Sequence, residues 1–312
     1  MSNTNEVIAI ACGDIHLQHT PPACRAVEPD WYAAMARPLK ELADLAGKYN
    51  VPILCAGDVF DRWYGSRASQ ELVNWAIDHL PVMWAIPGQH DLPQHRYEDI
   101  NKSAYMTLEK AKILEYLLPG ESIYINKKIV LTGFPWEIPI AKNKDIITPK
   151  KTNIVDIALA HEYNWIPEHS YPTANPESLV TKKRKNLLQF DVVIFGDNHK
   201  GFCTKVGKTT VFNCGTLMRR TIDEINYKPR VGLIYADGSV VPHYLDISQD
   251  KLDVLKINNT NENNTMDISD FMFELKGLPQ DLIDFHEAIK RYLQSNKTDE
   301  SSKAILLEAM GQ

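Results

Sequence analysis

The sequence has little cysteine, no long apolar run and no surplus of positive charge. Its 312 residues include five cysteines, Cys12, Cys24, Cys55, Cys203 and Cys214, an odd number without a CxxC pair. A chain of this length needs no covalent staples, so the count suits a reducing compartment rather than a disulfide framework. No stretch approaches the roughly 18 uninterrupted apolar residues of a membrane span. The opening MSNTNEVIAIACGD places no basic segment before its strand-length apolar run, unlike a signal peptide. The expectation is a cytoplasmic protein with no membrane contact. The GxxxxGK[ST] spacing of a P-loop is missing, and no internal repeat is present. Lys and Arg number 34 against 40 Asp and Glu, a net charge of −6, which excludes a highly basic nucleic-acid coat. With 24% charged and 44% hydrophobic residues the composition is that of a folded protein, not a disordered one. The acidic excess lies in the tail: Asp246 to Gln312 holds 13 acidic and 7 basic residues, leaving 27 of each before it.

What is present is a recurring unit. The length suits one large domain with a small appendage. Val7 to Cys12 predicts a buried strand followed by Gly13, Asp14, Ile15 and His16. A helix is expected from about Pro29 to Lys48, with Asp30 as cap and Pro38 placed to kink it. Val51 to Ala56 predicts a second strand, ending in Gly57, Asp58, Val59, Phe60 and Asp61. After a helix over 66–80, a third strand over Val82 to Ile86 runs into Pro87, Gly88, Gln89, His90 and Asp91. A further helix is expected over Ser103 to Leu118, then strands over Lys128 to Phe134, over Ile154 to Ala160 leading to His161, and over Asp191 to Phe195 leading to Asp197 and His199. Strands joined by helical crossovers pair in parallel, and ligands collect at the carboxyl ends of such strands. After residue 200 the pattern changes to short strands with tight turns, which read as antiparallel hairpins. The polar run NNTNENNT over 258–265 reads as a linker, which sets the expected domains at 1–256 and 257–312.

Asp14, His16, Asp58, Asp61, Gln89, His90, His161, Asp197 and His199 each fall just beyond a predicted strand end. Taken singly, an aspartate there is as readily a turn or a helix cap; five coordinated occurrences argue for chemistry. Imidazoles and carboxylates without clustered thiols suit Mn²⁺, Mg²⁺, Fe²⁺ or Zn²⁺ in a reactive centre better than a structural zinc site. Such a donor set is too large for one ion and suits two. Two ions sharing a carboxylate can activate a bridging hydroxide and clamp the oxygens of a phosphoryl group, while a histidine protonates the leaving oxygen.

The run Asp14-x-His16, Gly57-Asp58-x-x-Asp61-Arg62, Gly88-Gln89-His90-Asp91, His161 and Gly196-Asp197-Asn198-His199 resembles the calcineurin-like metallophosphoesterases, whose pattern is DxH, GDxxDR, GNHD, a lone H and GHxH. Within that superfamily the opening GDIHL, the GDVFD run and the later NCGTLMR, Asn213 to Arg219, look like the SbcD-type double-strand-break repair nucleases. The resemblance implies an α/β fold, a β-sandwich flanked by helices with a small C-terminal appendage. It implies one metal on Asp14, His16 and His199, with Asp58 bridging to a second on Gln89, His161 and Asp197. Mn²⁺ is the expected ion. His90 would be the general acid or a phosphate contact, oriented by the Asp61 carboxylate, with Asp91 organising its loop; Arg62 and Arg219 would meet a phosphate or pin loops. Two positions depart from the pattern: Gln89 stands for Asn, one methylene longer, and Asp197 stands for His, a change that favours harder ions.

The implied activity is hydrolysis of DNA phosphodiesters as the nuclease subunit of a complex with an SbcC-like ABC-type ATPase, and the implied assembly a homodimer. Lys182, Lys183, Arg184, Lys185, Lys200, Lys205, Lys208, Arg219 and Arg220 make the region of the fifth motif basic, either as a solvated face or as a contact to DNA phosphates. Trp63, Tyr64, Tyr163 and Trp165 would stack on bases or form groove walls. In the tail, Leu282, Phe285, Ile289 and Tyr292 share a helical face for the ATPase or for this chain's own core. Rival readings are a metallophosphoesterase for a small nucleotide, cyclic phosphodiester or phosphoprotein, and a non-catalytic scaffold on the same fold.

Overall fold

Val7–Cys12 forms strand β1, buried along its whole length. A strand that is apolar throughout belongs inside a sheet covered on both faces, and two sheets with helices outside supply that cover. The computed structural model describes residues 6–63, 68–140, 153–169, 174–221 and 224–253. The chain divides into units at Met1–Val254 and Leu255–Gln312. The linker, the tail helix and its apolar face lie outside the described residues, as does Tyr64.

In chain order β1 is followed by helix α1 (Trp31–Tyr49), β2 (Ile53–Cys55), α2 (Gln70–His79), β3 (Met83–Ala85), α3 (Ala104–Lys110) and β4 (Leu114–Tyr116). Then come β5 (Ser122–Tyr124), β6 (Ile129–Phe134), β7 (Val155–His161), α4 (Arg184–Leu187), β8 (Val192–Gly196), β9 (Phe202–Val206), β10 (Thr209–Asn213), β11 (Arg230–Tyr235) and β12 (Val240–Tyr244). The first sheet has the order β12-β11-β1-β2-β3-β4 and the second β5-β6-β7-β8-β10-β9. β1 to β4 run parallel, as do β6, β7, β8 and β10, while β5, β9, β11 and β12 pair antiparallel. The α/β sandwich with flanking helices is therefore the expected one.

The alternation of β1 explains its double burial. Ala9 and Ala11 face the second sheet, packing with Leu54, Ile234, Leu131, Leu159, Ile194 and Phe212 in one core. Ile10 and Cys12 face the helices, in a core with Leu39 and Leu42 of α1, Leu72 and Ala76 of α2 and Tyr105 of α3. Truncating Leu42, which is fully buried, to alanine would cost about 2–5 kcal/mol in lost transfer energy and cavity formation. A third core, with Phe195, Val211, Leu187 and Phe190, covers the outer face of the second sheet.

Helix starts follow their caps: Asp30 accepts from Ala33 N at the head of α1, Ser69 from Leu72 N at α2, and Ser103 from Met106 N at α3. The helix α1 continues through Pro38. The helix expected over Ser103 to Leu118 stops at Lys110, because Lys112 takes a left-handed φ of 66° and Leu114–Tyr116 pairs with β3 instead. The late hairpins divide between the sheets, β11 and β12 against β1 and β9 and β10 against β8.

Candidate metal centre

The carboxyl ends of β1, β2 and β3 in one sheet and of β7 and β8 in the other converge, and every motif follows one of them. Beyond β1 and β2 the two loops continue pairing through their main chains: Asp14 N donates to Gly57 O at 3.0 Å, His16 N to Asp58 O at 2.9 Å and Leu17 N to Val59 O at 2.8 Å. Asp14, His16 and Asp58 hold left-handed φ values of 47°, 52° and 52°, and Asp197 one of 78°. Backbone strain of this kind concentrates at functional sites. Gly57, at φ 99°, leaves room for His161: a Cβ there would lie 2.4 Å from the ring Nδ1. A Cβ on Gly88 would lie 2.1 Å from Asp58 Oδ1. Asp91 ties the second and third loops, accepting from Val59 N, Phe60 N and Gly88 N.

Three groups of donors lie within ligand range of one another: Asp14, His16 and His199; His16, Asp58 and His90; Asp14, Asp58 and His161. His16 Nε2 is 3.0 Å from His199 Nε2 and 3.7 Å from Asp58 Oδ2, which is itself 3.4 Å from His161 Nε2. Asp58 thus stands between the two outer groups. His161 Nδ1 contacts Ala56 O at 2.6 Å, and as the donor there it leaves Nε2 facing the carboxylates.

The fit of these residues to cations rests on their unsatisfied atoms. Asp14 Oδ2, Asp58 Oδ2, Gln89 Oε1 and His161 Nε2 are buried without a hydrogen bond. Each such atom carries a desolvation cost of about 1–3 kcal/mol or more, and donors of this kind beside His16 Nε2 and His199 Nε2 are what a divalent-ion site requires. Charge tells the same story. Burial, then the Arg220 cation, hold His16 well below its ordinary pKa, and the same causes bring His199 to about 4. Burial lifts Asp14 to about 8. Burial opposes ionisation of Asp58 more than any one neighbour favours it, but the charges of His161 and His90 and their hydrogen bonds together outweigh it and hold that carboxyl at about 2. Burial likewise opposes charge on His161, yet Asp58 keeps its pKa well above the usual range.

Two expected positions behave differently. Asp197 enters no three-residue group among the described residues: its N–H donates to Asp14 Oδ1 at 3.0 Å and its Oδ1 accepts from Gln89 Nε2 at 2.6 Å. Asp61 meets His90 Nδ1 through its main-chain carbonyl, at 2.8 Å, while its carboxylate accepts from Arg220 at 2.6 Å and lies 3.7 Å from His16 Nδ1. Asp61 thus holds the His90 ring by its carbonyl oxygen. Arg219 is a pin, donating to Asp250 and to Ile225 O. Arg220, its neighbour, reaches the cleft; in the sequence it stands out only as the last member of the basic stretch, in an Arg-Arg pair after the fifth motif. Glu224, 3.8 Å from His199 Nδ1, carries no sequence signal at all.

No helix of the described residues is long and apolar enough to cross a membrane. No curated protein sequence matches the chain. Among solved structures it is similar to an archaeal phosphodiesterase at 12% identity, over 76% of this chain and 99% of that one, with a TM-score of 0.38. The sulfate thiohydrolase SoxB of Thermus thermophilus, in complex with glycerol, matches at 12% over 81% and 59%, with a TM-score of 0.48. The protein TT1561 of Thermus thermophilus matches at 12% over 78% and 100%, with a TM-score of 0.44. The calcineurin-like phosphoesterase family profile matches residues 9–201, more than half of the chain. Fold and donor clusters support a metal-dependent phosphoesterase with a dinuclear divalent site, and by its sequence the chain belongs to the calcineurin-like phosphoesterase family.

Proposed function

We propose that the protein hydrolyses phosphodiester bonds of DNA, as the nuclease subunit of an SbcCD-like complex. The observation that carries the hydrolytic part is the set of orphaned donors around Asp58. One ion would be held by Asp14, His16 and His199, the other by His161 with Gln89 and Asp197, and Asp58 would serve both; Mn²⁺ suits these oxygen and imidazole donors. When bound, the ions supply a nucleophile at neutral pH and neutralise charge on the phosphoryl oxygens. The protein supplies the rest. His90 is fixed by its N–H to Asp58 Oδ1 at 3.0 Å and by Nδ1 donating to Asp61 O, so that, when the ring is doubly protonated, Nε2 would carry the proton that goes to the leaving oxygen. Gln89 and Asp197 hold each other across the two sheets.

The DNA reading rests on the SbcD-like motifs and on the basic stretch between Lys182 and Arg220. Cleavage of end-labelled single-stranded, blunt duplex and hairpin DNA with Mn²⁺, with and without an SbcC-like ATPase, tests it. Activity lost in His90→Ala supports it, and no cleavage of any substrate in either setting overturns it. A second reading, a small phosphoester substrate, is favoured by the pairing of Lys182 with Glu177 at 3.6 Å and of Lys183 with Glu162, which withdraws two of the basic side chains. Brisk turnover of an aryl phosphate ester without DNA binding would decide for it.

A further inference from the structure

We infer that Arg220 is the substrate-anion contact of this cleft, a guanidinium that takes the non-bridging oxygens of a phosphoryl group. The inference rests on reading the cleft as a phosphoester site and adds to it the residue that recognises the phosphate. Arg219 and Arg220 are adjacent, and their surroundings differ. Arg219, 9% exposed, spends its guanidinium on Asp250 at 2.9 and 3.1 Å and on Ile225 O at 3.1 Å. Arg220, 12% exposed, has a single side-chain hydrogen bond, from one terminal nitrogen to Asp61 Oδ1 at 2.6 Å. Its Nε is buried without a partner. A guanidinium carries five donors in a planar fork suited to two oxygens of one phosphate, and leaving most of them unused in a half-closed cleft is costly unless an anion takes them.

The placement is built rather than incidental. Asp61 links Arg220 to His16, whose Nδ1 is 3.7 Å from the same carboxylate oxygen, so the cation stands one side chain away from the donor cluster. Behind it the main chain is clamped: Arg220 N donates to Glu224 at 2.6 Å, Cys24 Sγ donates to Arg220 O at 3.0 Å and Arg25 to Arg219 O at 3.0 Å. A fixed backbone carrying an underused guanidinium is what a phosphate contact needs, since the ordering cost is met before the anion arrives. The competing explanation is that Arg220 only braces Asp61.

Isothermal titration of inorganic phosphate into the full-length Mn²⁺-loaded protein separates the two. Arg220→Ala is expected to weaken phosphate binding about 10- to 100-fold, the equivalent of a charge-assisted hydrogen bond or two. Asp61→Asn, which removes the pair but keeps the guanidinium, is expected to leave phosphate affinity within about twofold or to tighten it, because only the cation binds the anion. Equal losses in both variants, unchanged affinity in Arg220→Ala, or no phosphate binding by the parent would each overturn the inference. Should Arg220→Ala lose Mn²⁺, Arg220→Lys is read instead: it keeps the charge and loses the planar fork, and an affinity equal to the parent's would count against the assignment. Hydrolysis of bis(p-nitrophenyl) phosphate measured in parallel keeps the premises apart. Phosphate binding that depends on Arg220 without any turnover would remove the hydrolytic reading and leave the anion site.

Discussion

The two sheets contribute to the cleft by different means. From the first come Asp14, His16 and Asp58, left-handed residues whose main chains bond one another as a continuation of the β1–β2 pairing. From the second come His161, the last residue of β7, and His199, 28% exposed on its side chain, which reach the cluster by their rings. On one rim the backbone sets the donor positions; on the other the side chains dock onto them. The seam between them is narrow: His161 Nδ1 on Ala56 O, Asp197 N on Asp14 Oδ1, and the Gln89–Asp197 pair. The two substituted motif positions, Gln89 and Asp197, pair with each other across that seam.

The comparison is sharpened most by removing the residue both rims share. Asp58→Ala is expected to lose metal and activity together, with Mn²⁺ content by elemental analysis falling below one ion per chain. Retention of parental metal content would break the claim that Asp58 serves two ions. Next in size is His90→Ala, which should keep its metal while turnover falls about 10²- to 10⁴-fold, the range for loss of a general acid; equal losses of metal would move His90 into the ligand set that its proximity to His16 and Asp58 allows. Smaller again is Gly57→Ala, which pushes against His161 and costs a left-handed residue its freedom. Displacing a docked ring in this way should weaken metal binding about 10- to 100-fold, the scale of a lost orienting contact, with little change in the far-ultraviolet circular dichroism.

The remaining effect is a pH dependence, and its sign follows from the charge states. In the metal-free protein near pH 7, His161 is protonated and Asp14, at about 8, is largely so, whereas His199, at about 4, is neutral. Metal uptake by His161 and Asp14 therefore releases protons, and apparent affinity rises as pH climbs from about 6 to 8, by up to tenfold per pH unit for each proton released. Calorimetry in buffers of different ionisation enthalpy reads the count directly; affinity independent of pH would mean that His161 and Asp14 are both deprotonated before the ion arrives.

Much of this was legible in residue order. Strands ending in Gly-Asp or a histidine stand where the buried runs placed them, and the motif spacing located the cleft. The exceptions are instructive. Ser103 to Leu118 is apolar at positions that serve a helix or a strand, and pairing with β3 decided for a strand from Leu114 onward. Sheet membership of the late hairpins depends on which edge is open, a property of the folded sandwich. Arg219 and Arg220 are identical in kind, and only the Asp250 contact separates pin from cleft residue. Asp61 acts through a carbonyl, an atom every residue has.

The pairing of His16 with His199 spans 183 positions. Donors so far apart in the chain cannot meet until both sheets have formed and closed, so an ion finds at most the Asp14–His16 pair, not a complete site, in a partly synthesised or unfolded chain, and contacts of this range form late and slowly. Metal is therefore a finishing reagent for this protein rather than a nucleus. It rewards the completed sandwich by mass action, and refolding should follow the same time course with or without it, while unfolding slows once the ions are seated.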